Sequence, residues 1–526
     1  MKITKMKNTL AISFCLLAFI GCSSTSKQDY YKRVEQGKTA TTSRGSNLKG
    51  DRVDLYGGHK KDNLPIANSI PYLKYVNDME SPKNPFKTYS ESEFLNFYKN
   101  TKAKGHGDTS SYWRWKLTLT RNEMSNVLNK NLVSLANRRP KEVLTYSNGQ
   151  WISKKVPLNP IGEVTDIKVL QRGKSGLVIK LMIKGTRGQY IVAKEGNVRS
   201  VLGVSKNSVN STVNLYGAKG GSSSYLDRPI SRNPSLLPSA FLSIEKSGNG
   251  SYNIYGGGFG HGAGVPQWSA MDLTKNKGYS YKKVLDRYYA DTRLKSIKSV
   301  GGINEKLKVG IMTSGFTTID HTKVSMYSLG SIKIKSRDGN VNLNPRTAVD
   351  FVTKDGFTQV IVGGKLRLKT KNYISVTSNR MISLTNIKRN VKNYTHPTYR
   401  GSFEIRLAKG GTRLNLINEI NLEDYLLQVV PSEMPKSFGL EALKVQAVAA
   451  RTYAAKDILR NRYAKSGFHI LDSTQSQVYN NLDENELATA AVKATKGLIL
   501  VHENKPIDAK YYSTSSGFNS NAHNVW

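Results

Sequence analysis

The sequence contains very little cysteine and, for its size, few acidic residues. Cys15 and Cys22 are the only cysteines among its 526 residues. If both belong to an export segment and its anchor, the mature fold has no disulfide and no thiolate zinc site. The apolar run Leu10–Ile20 is too short to span a bilayer. The total length predicts two or three structural units with cores of their own.

Basic residues outnumber acidic ones by 79 to 38, which gives a formal net charge of +41. Such an excess predicts a polyanionic partner, which is nucleic acid, an anionic membrane surface or an acidic polysaccharide. Charge alone does not distinguish these three classes of partner.

The first 22 residues predict export. A stretch with three lysines precedes the apolar run, which ends at Gly21-Cys22. This resembles a bacterial lipoprotein signal, with cleavage before Cys22 and lipidation of its thiol; plain secretion is the alternative. Both interpretations argue against nucleic acid as a partner. With Ser23 next, we expect a membrane anchor in the cell envelope, in the outer membrane facing the periplasm.

Residues 421–455 contain the densest pattern in the chain. Asn421 is a good N-cap for a short amphipathic helix, and a second helix is predicted to begin near Gly439. Between them, the two prolines of residues 431–435 predict a stiff, non-helical elbow that carries Glu433. Several alanines on one face of the second helix would let another element approach closely. An ordinary helical hairpin with surface charges fits the same pattern.

The sequence PSEMP followed by EALKVQAVAARTYAA resembles the signature of the SpoIID/LytB family, bacterial proteins that act on peptidoglycan, whose pattern is close to EMP…EALKAQAVAARTY. The resemblance implies that Glu433 is the catalytic acid of a lytic transglycosylase. The lysine and arginine of the family's following helix match Lys444 and Arg451. We expect these two side chains to bind the lactyl carboxylates of the glycan or to hold the helix pair together.

Residues 256–270, GGGFGHGAGVPQWSA, form a glycine loop with His261 at its centre. The spacing does not fit a nucleotide-binding loop, and no Walker lysine follows. The six glycines predict unusual backbone conformations or a substrate lying on main-chain groups. A lone histidine is more often structural, but with Gln267 and Trp268 nearby it is also typical of sugar binding. The loop resembles the family's late motif, which is close to GrGwGHGvGMSQwGA.

The two motifs stand in the reverse of the family's order, which predicts a circular permutation. A chain cut short at Trp526 in a tandem array is the competing explanation. The expected fold is α+β, with a SpoIID-like catalytic domain, a helical hairpin carrying the acid, and β-rich accessory modules, one of them around a helix beginning near Asn122. The chain is predicted to begin with a lipoprotein signal (1–22) and a flexible tether (23–50). The second half of the domain follows at 51–297 and contains a β-rich module at 110–205 and the glycine loop. The first half occupies 298–526 and contains a β-rich part at 305–420, catalytic helices at 421–463 and groove loops at 470–526.

Other polar residues in matching motifs are predicted to line the glycan groove. These are Asp472, Gln477, Tyr479, Tyr512, Ser513 and Ser515, besides His261, Gln267 and Trp268. Some members of the family bind zinc through cysteines and a histidine. This sequence has His469 in that region but no cysteine, so we predict no metal and no cofactor. Without a paired histidine and acid, the serines predict a hydrogen-bonding glycan loop instead of a nucleophile.

Ordinary glycosidases need two carboxylates, whereas a lytic transglycosylase works with one. Glu433 would then need a raised pKa, which partial burial supplies. The resemblance implies that the substrate is peptidoglycan glycan strands without stem peptides. Two alternatives remain. One is a non-catalytic protein that binds peptidoglycan and stimulates an N-acetylmuramoyl-L-alanine amidase. The other is a basic, lipid-anchored scaffold or adhesin for anionic polymers.

Overall fold

The computed structural model describes residues 69–205, 207–390 and 396–526, together with the backbone of the short strand Leu55–Tyr56. The predicted signal at 1–22, with Cys22, and the predicted tether at 23–50 lie outside the described residues. None of the described helices is long and apolar enough to cross a membrane.

Helices and strands are both abundant, which confirms the α+β class. Within the described ranges the helices are α1 (Glu91–Lys99), α2 (Arg121–Arg138), α3 (Glu195–Val201), α4 (Gln267–Lys275), α5 (Tyr281–Tyr288), α6 (Leu422–Glu433), α7 (Leu440–Arg460) and α8 (Glu486–Ala494). The helix predicted near Asn122 begins at Arg121, because the Thr120 side chain caps it and accepts a hydrogen bond from the Glu123 amide.

The described residues before position 297 build two antiparallel sheets around one core. In spatial order, the first consists of Leu55–Tyr56, Val164–Gly173, Val178–Gly185, Gln189–Ala193, Val143–Ser147 and Gln150–Ile152. The second consists of Ser231–Arg232, Asn214–Ala218, Arg114–Leu119, Tyr252–Gly256 and Leu242–Lys246. Apolar side chains of α1 and α2 complete this core.

Two further sheets follow in residues 306–471. The larger one has the order Gly339–Leu343, Ile332–Ser336, Ile374–Ser378, Ser402–Leu407, Leu414–Asn421, Lys306–Ile311 and Ile470–Leu471, with Asp320–His321 paired beside Leu414–Asn421. The other has the order Lys365–Thr370, Phe357–Val362, Val349–Lys354, Lys323–Ser328, Ile382–Leu384 and Thr398–Tyr399. Side chains alternate as a strand requires, so Ile332 and Ile334 are buried while Lys333 and Lys335 are exposed.

Helix α7 lies at the centre of the molecule and connects the two parts of the chain. Most of its side chains are buried, including Ala447, Ala450 and Ala454. It packs against α6 and α8 from its own part, and against α4 and α5 from the earlier part. The close approach predicted from the alanines is confirmed, because a methyl side chain leaves room for neighbours on several sides.

Short strands from the two parts also pair with each other. Val265–Pro266 pairs with Tyr511–Tyr512 in parallel orientation. Two other pairs are antiparallel: Arg293–Ser296 with Leu498–His502, and Val76–Asn77 with Phe518–Asn519. Lys505–Pro506 also pairs with Leu498–His502. Because backbone hydrogen bonds cross between the parts at several places, the glycine loop and the end of the described chain form one continuous structure.

The predicted non-helical elbow at residues 431–435 is wrong in its first three positions. Helix α6 continues through Pro431 to Glu433, and the extended conformation begins at Met434. A proline in the last turn removes only one helical hydrogen bond, the one to the Leu427 carbonyl, and the Ser432 hydroxyl adds another at this end of the helix by donating to the Gln428 carbonyl at 2.7 Å. Pro431 itself is buried, so packing favours the helical position.

Candidate functional site

Glu433 lies at the last position of α6, and its side chain is partly exposed. Its Oε1 accepts a hydrogen bond of 2.6 Å from the backbone amide of Val478. The Tyr511 hydroxyl, which belongs to a strand paired with the glycine loop, also hydrogen-bonds to this carboxyl. The two contacts fix the carboxyl between segments that are distant in sequence.

Burial raises the pKa of the Glu433 carboxyl to about 7, and the hydrogen bonds from Val478 and Tyr511 offset only part of this effect. No second carboxylate of the described residues contributes to the shift. Near neutral pH the group is therefore present in both protonated and ionised forms. A carboxyl of this kind can donate a proton and later accept one, which is what general acid–base catalysis requires.

A consequence for stability follows from this raised pKa. Below about pH 4.5 the Glu433 carboxyl is protonated in both the folded and the unfolded chain, so it has no effect on folding. As pH rises toward 7, the unfolded chain ionises first and the folded state loses stability. We expect Glu433→Gln to stabilise the protein by ~1–3 kcal/mol at pH 8, and by almost nothing at pH 4.5. Thermal unfolding of both proteins across this range tests the sign, and a pH-independent difference would contradict it.

Tyr511 is held from both sides. Its hydroxyl accepts a 3.1 Å hydrogen bond from the Gln477 side-chain amide, and its backbone carbonyl lies 3.1 Å from Nε2 of His261. The Ala263 amide donates to the other ring nitrogen of His261, so Nε2 must carry the proton. Burial lowers the pKa of His261 to about 3, which keeps the ring neutral. Both ring nitrogens are used inside the protein, so His261 positions Tyr511.

Gln267 connects the glycine loop directly to the helix that carries Glu433. Its side-chain amide donates to the Glu433 backbone carbonyl at 3.0 Å and to the Gln446 side chain at 3.2 Å. Gln446 belongs to α7, so one amide links α4, α6 and α7. The backbone of Trp268, the next residue, donates to the Ser513 carbonyl. The two sequence motifs therefore meet at a single place.

The loop that follows Tyr479 is fixed by the same PSEMP segment. The Ser432 hydroxyl accepts hydrogen bonds from the amides of Asn481 and Leu482, at 3.0 and 3.1 Å. Ser432 and Glu433 therefore bind successive parts of one loop. This gives the consecutive Ser-Glu pair a physical role that the family resemblance does not explain.

Gly264 illustrates why the glycine loop needs its glycines. It has φ +77°, and a Cβ there would lie 1.9 Å from the Lys510 carbonyl oxygen. The strand beside it pairs with Tyr511–Tyr512, so displacement would move Tyr511 away from Glu433.

We expect Gly264→Ala to destabilise the protein by at least ~2 kcal/mol, because backbone strain and a backbone clash add. Gly278 is a matched control, since its φ is +67° and a Cβ there would meet nothing within 4 Å. Gly278→Ala should cost only the strain, ~1 kcal/mol. Thermal unfolding of both variants checks the difference; equal losses would show that the clash is relieved.

Several residues predicted to line the groove or to bind the glycan lie in the interior instead. They are Asp472, Gln477, Tyr479, Tyr512, Ser515 and Arg451, all at most 5% exposed. Each has a partner in the protein; Tyr479, for example, donates to the Asn418 side chain at 2.8 Å, and Tyr512 to Asn519 at 2.6 Å. Their role in the folded chain is to support the loops around Glu433. A sequence motif does not reveal whether a polar side chain faces inward.

Arg451 forms a buried ion pair with Glu423 of α6, through two hydrogen bonds of 2.8 Å. This contact joins α6 to α7, as one of the two expected roles of Arg451 requires, and the Arg451 side chain is fully buried. Lys444 is 18% exposed and pairs with Glu441 at 2.6 Å. Asp472 pairs with Arg389 at 2.6 Å in the interior.

Partly exposed groups near Glu433 include Trp268, Ser513 and Tyr511. The Trp268 ring packs edge-on against Phe438, with ring centroids 4.9 Å apart. Tyr511 was missed by the sequence analysis, which chose its neighbour Tyr512. Adjacent residues of a strand face opposite sides, so an error of one position exchanges a site residue for a buried one. Val478 acts through its backbone and leaves no side-chain signal.

Within the described residues, no group of three or more histidine, cysteine, aspartate or glutamate side chains could hold a metal ion. Two cavities in the earlier part of the chain lie on other elements. One of about 530 Å³ is lined by residues that include Val133 and Leu158, and one of about 270 Å³ by residues that include Tyr216 and Tyr225. Neither includes a residue that contacts Glu433.

Comparison with known proteins gives two family matches. Residues 410–502, which contain Glu433 and helices α6 and α7, match the family model described as SpoIID, stage II sporulation protein. Residues 66–264 match DUF8618, a domain of unknown function. No solved structure gives a significant match.

Curated relatives align with the same region. Over 124 residues, 21% of this chain and 36% of the relative, the chain is 39% identical to stage II sporulation protein D of Bacillus amyloliquefaciens and 38% identical to that of Bacillus subtilis. Over 164 residues it is 39% identical to the amidase enhancer of Bacillus subtilis, which covers 31% of this chain and 20% of that relative. The alignments thus span about a third or less of these relatives' own length. The segment that carries Glu433, residues 410–502, is therefore similar to the SpoIID/LytB family.

Proposed function

We propose that the protein is a peptidoglycan lytic transglycosylase that cleaves between N-acetylmuramic acid and N-acetylglucosamine, with Glu433 as its general acid and base. The observation that carries this proposal is a single, partly exposed carboxyl whose pKa burial raises to about 7. The groups that contact this carboxyl are the Val478 amide and the Tyr511 hydroxyl, and neither is the second carboxylate that an ordinary glycosidase uses.

In the proposed reaction, protonated Glu433 donates its proton to the glycosidic oxygen as the bond from that oxygen to muramoyl C1 breaks. The resulting carboxylate accepts the proton of the muramoyl C6 hydroxyl, whose oxygen forms the new bond to C1. The products are a 1,6-anhydromuramoyl end and a free N-acetylglucosamine hydroxyl, and Glu433 is protonated again. The Val478 amide and Tyr511 hydroxyl hold the carboxyl in place during both transfers.

The substrate we propose is glycan strands stripped of stem peptides. Removal of the peptides exposes the lactyl carboxylates, and a chain of net charge +41 favours such an anionic polymer. Trp268 offers an aromatic surface next to Gln267, which contacts the backbone of Glu433.

We also propose that the domain is circularly permuted, with residues 51–297 as its second half and 298–526 as its first. The strand pairs between the two parts support this, as does the contact of Ala522 with Leu73, where the Ala522 amide donates to the Leu73 carbonyl at 3.1 Å. Attachment to the outer membrane through Cys22 completes the proposal and rests on the sequence pattern alone.

A second candidate function is stimulation of an amidase, which the similarity to an amidase enhancer favours. The two functions separate in one assay. Denuded glycan strands are incubated with the protein alone, and intact peptidoglycan is incubated with an amidase in the presence and absence of the protein. Soluble glycan fragments from the protein alone are expected of the transglycosylase. Faster release of peptides without any glycan cleavage would favour the enhancer and overturn our first proposal.

A further inference from the structure

A second ionisable pair involves α4, the helix whose first residue, Gln267, contacts the Glu433 backbone. Nδ1 of His106 is 2.8 Å from Oδ2 of Asp272, and the two side chains are 20% and 15% exposed. Asp272 is on α4, and its other oxygen accepts a 2.7 Å hydrogen bond from Asn276. No sequence motif marks either His106 or Asp272.

The protonation of this pair follows from its contacts. Although partial burial acts in the opposite direction, the hydrogen bonds from His106 and Asn276 hold the pKa of Asp272 below its ordinary value. An ionised carboxylate only accepts hydrogen bonds, so Nδ1 of His106 carries a proton. In the neutral ring Nε2 is then a bare acceptor, and it makes no hydrogen bond to any described residue. His261 differs in that both of its ring nitrogens are used internally.

The pair also lies on the same exposed strip of α4 as Trp268. Trp268 and Asp272 are four residues apart, so they face the same side of the helix, and both are partly exposed between buried neighbours. The His106 carbonyl accepts a 2.8 Å hydrogen bond from the Ser269 hydroxyl. At Gly107, with φ +87°, a Cβ would lie 2.9 Å from the backbone of Trp268, so the turn carrying His106 packs directly against the start of α4.

We propose that Trp268 and the His106–Asp272 pair form a sugar-binding subsite next to Glu433, in which Nε2 of His106 accepts a hydrogen bond from a hydroxyl or acetamido N–H of the glycan. This inference rests on the proposed function, since it extends the groove for the same polymer. The bare acceptor selects a donor on the ligand, and the aromatic ring of Trp268 supplies an apolar surface for a sugar ring. The carboxylate orients the imidazole and fixes the proton on Nδ1, as carboxylates hydrogen-bonded to functional histidines do in other proteins.

Two substitutions distinguish a glycan-binding role of Nε2 from a purely structural role of His106. His106→Asn places its amide where Nδ1 lies, so it keeps the contact with Asp272 and removes Nε2. His106→Gln reaches the position of Nε2 with an amide oxygen but loses the contact with Asp272. If Nε2 binds the glycan, the asparagine variant binds about three- to tenfold more weakly, and the glutamine variant recovers part of the loss. If His106 has only a structural role, the glutamine variant binds the glycan more weakly than the asparagine variant.

The measurement is binding of denuded glycan strands to full-length Glu433→Gln protein, with and without each His106 substitution, so that no cleavage occurs. His502→Asn is the control, because its Nδ1 likewise donates to a protein oxygen, the Asp291 carbonyl at 2.7 Å. Unchanged binding by His106→Asn, or a weaker His106→Gln than His106→Asn, would overturn the subsite. If wild-type protein binds strands without cleaving them, the proposed reaction fails while the subsite is still tested. If Glu433→Gln protein binds no strands, both proposals fail.

Discussion

Replacing Glu433 by glutamine is expected to slow glycan cleavage by about 10²- to 10⁴-fold, the range that a positioned general acid and base contributes. Glutamine has nearly the same shape and can still accept the Val478 hydrogen bond, but it cannot donate a proton to the glycosidic oxygen or take one from the C6 hydroxyl. Binding of glycan strands should be almost unchanged. The measurement is the rate of release of soluble fragments from denuded strands, with binding determined separately.

Glu441→Gln is the matched control for this experiment. Glu441 is a partly exposed carboxylate at the start of α7, and it contacts Lys444 and the Tyr281 amide. Its replacement also removes one carboxyl group, so a shared loss of activity would point to charge or folding. Retention of cleavage in Glu433→Gln would refute the assignment of the acid.

Replacing Arg451 by methionine is expected to destabilise the protein by ~3–5 kcal/mol, the cost of removing one partner of a buried ion pair. Arg451 is fully buried, and Glu423 is 18% exposed. Methionine would leave the carboxylate of Glu423 with the Gly497 amide but without the two hydrogen bonds from Arg451, and would also remove the Arg451 hydrogen bonds to the Val492 and Leu498 carbonyls. The free energy of unfolding by denaturant measures the loss.

The double variant Glu423→Gln/Arg451→Met should recover a large part of that stability, because no buried charge then remains. Lys444→Met on the same helix is the control. Its ion pair with Glu441 is 18% and 35% exposed, so its loss should cost less than ~1 kcal/mol. If Arg451→Met lowers the free energy of unfolding no more than Lys444→Met does, the ion pair does not hold α6 to α7. Binding of the glycan would then again be the expected role of Arg451.

Part of this site could be predicted from the sequence because it depends on local rules. Asn421 was identified as a helix cap, and its side chain accepts a hydrogen bond from the Glu423 amide. The start of α7 after Gly439 followed from the glycine and the periodic apolar residues that come next. Pro435 correctly predicted an extended Met434, since the residue before proline avoids the helical region.

Other parts depend on three-dimensional packing and left no local signal. Pro431 stays helical because its neighbours are buried, which outweighs its intrinsic preference. The inward positions of Asp472 and Gln477 depend on Arg389 and Tyr511, partners that lie far away in sequence. The His106–Asp272 pair joins positions 166 residues apart, and only the packing of the His106 turn on α4 brings them together.

The most direct test of the central claim is digestion of denuded glycan strands in ¹⁸O-labelled water by the chain lacking residues 1–22, with the products identified by mass spectrometry. If Glu433 passes the proton of the C6 hydroxyl as proposed, every new muramoyl end is a 1,6-anhydro ring without ¹⁸O. New reducing ends that carry ¹⁸O would show that water attacks C1, and an absence of new ends would show that no cleavage takes place. Either result would contradict the transglycosylase mechanism.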